Sequence, residues 1–424
     1  MANRELAILV AVKRPGAAGS ETAAHLDELA QLVDTAGGQE AGRLIQERKA
    51  PDPRSFIGKG KLVELAEAVR ATGAGLVVFD DDLSASQARH VEEAMADDVK
   101  VIDRAGVILD IFALRARSRE AQTQVELAQL DYLRSRLTRR WQHLSRQAGG
   151  IGTRGVGETQ IETDRRVIRR RIALLRERLG VIEREREVQR RRRGQLPAVA
   201  LVGYTNAGKS TLFVRLTGSE TLIEDRLFAT LDPRVRRAEL GDGMVVTVAD
   251  TVGFIRKLPH HLVASFRATL EEAAQASVLV HLVDASNPAW PDHLRVGEEV
   301  LASLGVESQR CVVALNKIDR LDEPPVLPAD RLAVAISASR GEGIEELLAT
   351  LRRAVLAQPG LEVLRFPPEG GKSLQRALQE EIVVARRFTE EGIELVVRRG
   401  ERVSVLVDPA NPERTLLPGA YRAP

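Results

Sequence analysis

The sequence predicts an α/β protein with a mixed, mostly parallel sheet, interrupted by a long antiparallel helical hairpin and closed by a small α+β module. Three patterns carry that expectation. Short apolar runs alternate with helix-like stretches in two separate regions, 5–116 and about 196–358, which argues for parallel sheets. Between them a 4-3 apolar spacing recurs on both sides of a Gly-rich break. Beyond residue 360 the pattern reads strand, helix, strand, strand. The implied boundaries are 1–117, 118–194, 195–359 and 360–424.

Composition allows such a chain. With 424 residues, 44% hydrophobic and 29% charged, it is long and apolar enough to bury several cores. Cys311 is the single cysteine, so no internal disulfide is available, and its apolar neighbours suit a small core residue in a strand. No apolar run approaches the roughly 18 residues of a membrane span. The opening "ELAILVAV" reads as a buried strand and not as a signal peptide. The expectation is a cytoplasmic monomer, with room for peripheral association with a membrane.

In the first region "ELAILVAV", "GLVVFDD" and "KVIDR" are the strand candidates, and "LVELAEAVRAT", "SASQARHVEEAMA" and "AGVILDIFALRA" the helices. "GKGK" at 58–61 opens a helix and reads two ways, as a phosphate-holding start or as a turn with solvated lysines. In the middle region Thr123, Leu127, Leu130, Arg134, Leu137, Trp141 and Leu144 form one stripe, and Ile168, Ile172, Leu175, Leu179 and Ile182 the other. Such stripes pair as a coiled-coil hairpin. The connecting "GGIGTRGVGETQIETD" (149–164) packs five of the chain's 33 Gly into nine residues and is expected to be non-helical throughout.

The third region carries chemistry. "GYTNAGKS" (203–210) follows an apolar strand and precedes a helix, the context a P-loop needs. Gly203, Tyr204, Thr205, Asn206, Ala207 and Gly208 would wrap the phosphates with backbone amides. Lys209 would reach the β/γ oxygens, Ser210 would ligate Mg²⁺, and Thr211 completes the GTP-binding stretch. "DTVG" (Asp250, Thr251, Val252, Gly253) ends a strand and offers a carboxylate acting on Mg²⁺ through its water, and an amide for the γ-phosphate. In "NKID" (Asn316, Lys317, Ile318, Asp319) Asn316 can bond the guanine edge, and the Asp319 carboxylate can accept from the N1–H and N2–H₂ donors of guanine, which adenine lacks. "SAS" (Ser337, Ala338, Ser339) can add an amide for the guanine O6. Between P-loop and "DTVG", the stretch Phe228, Ala229, Thr230, Leu231 and Asp232 supplies Thr230 as a second Mg²⁺ ligand. Lys209, Thr230 and Gly253 are the catalytic candidates. The four motifs, in order, define a guanine-nucleotide-binding P-loop G domain. Adjacent His260 and His261 lack metal-ligand spacing and read as surface or helix-start residues.

Phe254 stands where Ras-like GTPases carry a water-orienting Gln, and it can form no hydrogen bond through its side chain. Slow intrinsic turnover is the expectation, with the missing order supplied by switch residues, backbone or a partner.

Charge points to RNA. Between Arg165 and Arg193 thirteen Arg face four Glu, in a chain whose formal net charge is only +2. Arg presents a planar fork to phosphates. Arg154, Arg165, Arg166, Arg169, Arg170 and Arg171, beside the Gly-rich loop, are the RNA-contact candidates.

"GGIGTRGVGETQIETD" ahead of a charged helix, then "GYTNAGKST", "LFATLDP", "ADTVGFIRKLP" and "NKID", resemble the HflX family of translational GTPases over nearly the whole chain. The resemblance implies Mg²⁺-dependent GTP hydrolysis stimulated by ribosomes. It also implies binding to the large (50S) ribosomal subunit and its 23S rRNA, and splitting of stalled or idle ribosomes, notably in heat stress. A part in subunit maturation, and ATP use with RNA unwinding at the N-terminal domain, are further implications. An RNA-remodelling ATPase with a regulatory G domain, or a nucleotide-gated RNA scaffold, are the competing readings.

Overall fold

The structure is a computed structural model that describes residues 4–16, 19–96, 98–137, 156–193, 196–219, 227–228, 230–232, 234–257, 273–306, 310–398 and 414–416. It divides into two compact units. The first comprises Met1–Ile182 with the short segments Arg226–Phe228 and Lys257–Phe266, and the second comprises the rest.

The first unit begins with β1 (Leu6–Lys13), α1 (Gly19–Thr35), β2 (Gln39–Glu47), α2 (Lys59–Thr72), β3 (Leu76–Phe79), α3 (Ala85–Glu92), β4 (Lys100–Asp103) and α4 (Arg104–Arg115). The strands form a four-stranded parallel sheet in the order β2-β1-β3-β4. The expected runs are all strands. β2, "QEAGRLIQE", carries no apolar run in the sequence because it is an edge strand in which only Leu44 is buried. That single-sided burial leaves little periodicity to read.

Asp103 fastens the helical arm to this sheet. It caps α4 through the amide of Gly106, and it also accepts from the amide of Leu83 at 3.0 Å. Its remaining capacity goes to α5 (Arg119–Leu137), through the Tyr132 hydroxyl at 2.9 Å and the Arg136 guanidinium at 2.7 Å. Removing this carboxylate leaves a helix uncapped and takes an acceptor from the Leu83 amide, the Tyr132 hydroxyl and the Arg136 guanidinium.

α5 packs against α6 (Val156–Arg193) as the two stripes require, with Leu127, Ile172 and Leu175 buried between them and Leu130, Ile168 and Leu179 alongside. Arg171 chelates Glu126 across the pair at 2.6 and 3.0 Å. Trp141 and Leu144 lie outside the described residues. The expectation of a non-helical 149–164 is corrected: α6 already begins at Val156. All five glycines lie at or before Gly157, so "ETQIETD" is free of helix breakers, and Gly157 falls in the first turn, where a glycine costs little.

The second unit holds β5 (Ala198–Gly203), α7 (Lys209–Thr217), β6 (Arg234–Glu239), β7 (Val245–Asp250), β8 (Val278–Asp284), α8 (Trp290–Ser303), β9 (Cys311–Asn316), β10 (Ala333–Ala335) and α9 (Ile344–Leu356). Its sheet runs β10-β9-β8-β5-β7-β6, parallel except for the β6–β7 pair. This is the predicted mixed, mostly parallel arrangement. Cys311 begins β9 and is half-buried. β11 (Leu361–Phe366), α10 (Gly371–Glu380), β12 (Ile382–Thr389), β13 (Gly392–Arg398) and β14 (Arg414–Leu416) complete the unit as an antiparallel sheet ordered β12-β13-β11-β14. Leu361, Val384, Ala385 and Val396 from it share one core with Leu240, Met244 and Val246.

Strand register aligns the polar strand ends. Gly203 pairs with Leu282, Leu201 with Asp250, and Asp284 with Asn316. The carboxyl edge of the sheet, where ligands bind in open α/β folds, therefore gathers all four. Asp103→Ala is expected to cost about 3 kcal/mol of stability, from a lost cap and the acceptor lost to Leu83, Tyr132 and Arg136. Chemical denaturation checks this, and a loss below about 1 kcal/mol would contradict it.

Candidate functional site

The P-loop is built from backbone that ordinary residues cannot adopt in place. Gly203 has φ 144°, and a Cβ there would lie 2.1 Å from the Leu282 carbonyl oxygen. Gly208 has φ 95°, and a Cβ there would lie 2.3 Å from Asn316 Nδ2. Gly208 precedes α7 with no side-chain cap, so the helix starts with amides and a positive dipole end available to an anion. Lys209 is buried and donates to the carbonyls of Gly203 at 3.1 Å and Tyr204 at 2.8 Å. Burial lowers its ammonium to about 8, against the opposing pull of Asp250.

The three expected Mg²⁺-site side chains come together. Ser210 Oγ donates to Asp250 Oδ2 at 2.8 Å, Thr230 Oγ1 donates to the same oxygen at 3.1 Å, and the two hydroxyls are 2.9 Å apart. Asp250 is wholly buried, and burial pushes its carboxyl upward. Its Oδ1 has no hydrogen-bond partner, and neither has the buried hydroxyl of Thr205. A cluster of hard oxygens with an orphaned carboxylate atom is the donor set a small hard cation takes. Gly253 lies against the P-loop: a Cβ there would be 2.8 Å from Thr205 Cα and 3.0 Å from Lys209 Nζ.

Other candidates are engaged structurally. The Thr251 hydroxyl donates to the Leu201 carbonyl at 2.7 Å, and Val252 is buried. Leu231 is buried beside Thr230, and Phe228, with φ 54°, groups with the first unit. Ala229 and Arg154 lie outside the described residues, as do His260 and His261. At "GKGK", Lys61 pairs with Glu64 at 2.8 Å and the Gly58 amide donates to Gln46 at 2.8 Å, contacts that a turn makes.

At the opposite end, Asn316 spans two loops: its Nδ2 donates to the Ala207 carbonyl at 2.7 Å and its Oδ1 accepts from the Ala338 amide at 2.9 Å. Its buried amide thus ties the P-loop to "SAS". Asp319 accepts from the Ser337 hydroxyl at 2.6 Å, and that bond holds its carboxyl below the usual range. Ser339 Oγ is 3.1 Å from Ser337 Oγ. Lys317, in left-handed conformation at φ 66°, donates to Asp284 at 2.7 Å.

Sequence reasoning passed over Arg215, Asp284 and His281. Arg215, on α7, donates to the carbonyls of Ala338 and Ser339, both at 2.6 Å, and so fixes the "SAS" loop from below. Nothing in a helix-borne Arg signals this. Asp284 ends β8 and was legible as a polar strand end. His281, in the middle of β8, is almost wholly buried with Nε2 unpartnered. Gly297 makes room for it, since a Cβ there would fall 2.4 Å from that nitrogen. Phe254 packs edge-on against the same ring, centroids 6.3 Å apart, and is itself buried. The aromatic that replaces the glutamine is part of the core.

The fold and this site define a P-loop GTPase. Residues 23–113 match the family described as GTP-binding GTPase N-terminal, and residues 115–193 the GTP-binding GTPase middle region. Residues 198–317 match the family described as 50S ribosome-binding GTPase. The chain is 45% identical to GTPase HflX of Escherichia coli strain K12 over 88% of its own length and 89% of that protein. It is 43% identical to GTPase HflX of Caldanaerobacter subterraneus (92% and 90% covered) and 45% identical to that of Magnetococcus marinus (92% and 91%). The chain belongs to the HflX family of GTPases.

Burial, with the nearby charges of Lys209 and Arg331, lowers His281 to about 4 from its ordinary 6.5. The unfolded chain therefore binds this proton more readily than the folded one. The stability contribution is complete above pH 6.5 and is lost as pH falls towards 4, by about 3 kcal/mol in total. His281→Leu should remove this slope, so that urea titrations show the variant gaining on the wild type by that amount between the two pH values. A constant difference would show that His281 is protonated in the folded state.

Proposed function

We propose that the chain hydrolyses GTP at this site to control binding to the large ribosomal subunit, and that it splits stalled or idle ribosomes. The convergence of Ser210, Thr230 and Asp250 beside buried Lys209 carries the nucleotide half of this reading. Ser210 and Thr230 would hold a Mg²⁺ ion, with Asp250 acting on it through its water, and the ion would neutralise charge on the β- and γ-phosphates. Lys209 would leave the Gly203 and Tyr204 carbonyls for the phosphate oxygens. The Gly253 amide would meet the γ-phosphate, being already against Lys209. Water attacks the γ-phosphorus, the bond to the β–γ bridging oxygen breaks, and GDP and phosphate leave. Asp319, held acceptor-only by Ser337, suits the two guanine donors, while Asn316 acts through the loops it ties.

The ribosomal half is supported by family membership and by the exposed guanidinium face of α6. Arg166, Arg169 and Arg170 are exposed and Arg165 half-buried, whereas Arg171 is engaged with Glu126. No helix among the described residues is long and apolar enough to cross a membrane. The RNA-remodelling ATPase is not favoured.

Asp319→Asn should replace an acceptor by a donor–acceptor amide and shift preference from guanine towards xanthine nucleotides by roughly 10²-fold or more, the scale at which a mismatched buried hydrogen bond discriminates. Competition binding reads this, and unchanged GTP preference would remove Asp319 from the base site. Co-sedimentation with 50S subunits should be retained with a GTP analogue, weaken with GDP, and fall steeply as salt rises. Reversing Arg166, Arg169 and Arg170 to Glu should weaken it without changing nucleotide affinity. Binding that ignores both salt and these substitutions would overturn the RNA contact.

A further inference from the structure

Tyr204, the second residue of the P-loop, joins three parts of the catalytic unit through one side chain. Its backbone neighbours pair with the residue after Gly253: the Phe254 amide donates to the Gly203 carbonyl at 2.9 Å, and the Thr205 amide donates to the Phe254 carbonyl at 2.8 Å. This bridge puts Tyr204 opposite Phe254. Two residues further on, the Arg256 amide donates to the Tyr204 hydroxyl at 2.9 Å. The Tyr204 ring lies flat on His293 of α8, with centroids 3.9 Å apart and an interplanar angle of 8°. Arg256 reaches the same helix through Asp292 at 3.5 Å. Tyr204 itself is only 5% exposed, so its hydroxyl sits in a place where losing a partner is costly.

We propose that the Tyr204 side chain is a positioning group for GTP hydrolysis, holding the segment after Gly253 in register with the P-loop without itself touching the nucleotide. It rests on the nucleotide site proposed above. Phe254 cannot orient water, so the reaction depends on where the Gly253 amide and the following backbone stand. The two bridge bonds fix the near end of that segment. The Tyr204 hydroxyl fixes the far end, and the stack on His293 keeps the ring from swinging away. A small residue at position 204 could make the bridge but could not reach the Arg256 amide.

The test uses the full chain. Tyr204→Phe removes the hydroxyl and keeps the stack, and His293→Ala removes the stack and keeps the hydroxyl. Single-turnover GTP hydrolysis should fall roughly five- to tenfold in Tyr204→Phe, the kinetic worth of one neutral hydrogen bond. Affinities for fluorescent GDP and GTP analogues should stay within about twofold, because the phosphate-facing backbone is untouched. Tryptic cleavage after Arg256 should accelerate in Tyr204→Phe, and less so in His293→Ala. An unchanged or faster hydrolysis rate in Tyr204→Phe overturns the proposal. So does a fall in both nucleotide affinities matching the fall in rate, which would make Tyr204 a prop for the P-loop alone. A wild type that binds guanine nucleotides but shows no hydrolysis would instead fault the reading of the site, before Tyr204 is tested.

Discussion

The second unit turns on a carboxylate placed where water cannot reach it. Asp250 ends β7 with no exposed surface, and an ion there has a large desolvation cost unless neighbours offset it. Two hydroxyls, from Ser210 and Thr230, and the ammonium of Lys209 do so incompletely: the second oxygen has no partner, and burial drives carboxyl and ammonium towards their neutral forms. A site left electrostatically short in this way gains most from a cation and a polyphosphate. Thr230 reaches it from a segment remote in the chain, so the same carboxylate also sets where that segment folds down.

The other polar strand ends are bound into one frame around this point. Asn316 holds the P-loop and the "SAS" loop together, Arg215 holds "SAS" to α7, and Lys317 is tied to Asp284. Each tie uses a side chain that could have faced ligand. The frame is closely bonded around Asn316 and "SAS", while the P-loop end keeps orphaned atoms on Asp250 and Thr205. On the function proposed, specificity and catalysis would draw on different parts of the strand edge: pre-set hydrogen bonds at one end, unsatisfied charge at the other.

Phe254 fits the same division. A buried ring against His281 contributes packing where a glutamine would contribute a hydrogen bond to water. The backbone on either side of it is correspondingly well held, by the bridge to the P-loop and by the Tyr204 hydroxyl. In the first unit Asp103 plays the comparable organising part, since one carboxylate joins sheet, helix cap and helical arm.

The sequence by itself determined the parallel strands, the hairpin stripes and the nucleotide motifs, because each rests on local spacing: apolar runs of strand length, a 4-3 repeat, and glycines demanded by backbone positions such as Gly203 and Gly208. It also pointed to Thr230, in "LFATLDP", as the threonine that meets Ser210 and Asp250. The start of α6 departs from the sequence expectation, because the residues after the glycine cluster are free of helix breakers and join the helix from Val156. Edge strand β2 left no trace because its burial is one-sided. Tertiary structure alone decided that Asn316 is a strut between loops, that Arg171 is engaged by Glu126, that His281 is buried in the core, and that Tyr204 reaches Arg256. Each depends on a partner dozens of residues away, brought near by strand register and helix packing. A residue's identity states what bonds it can make, and only the fold settles which of them it is given.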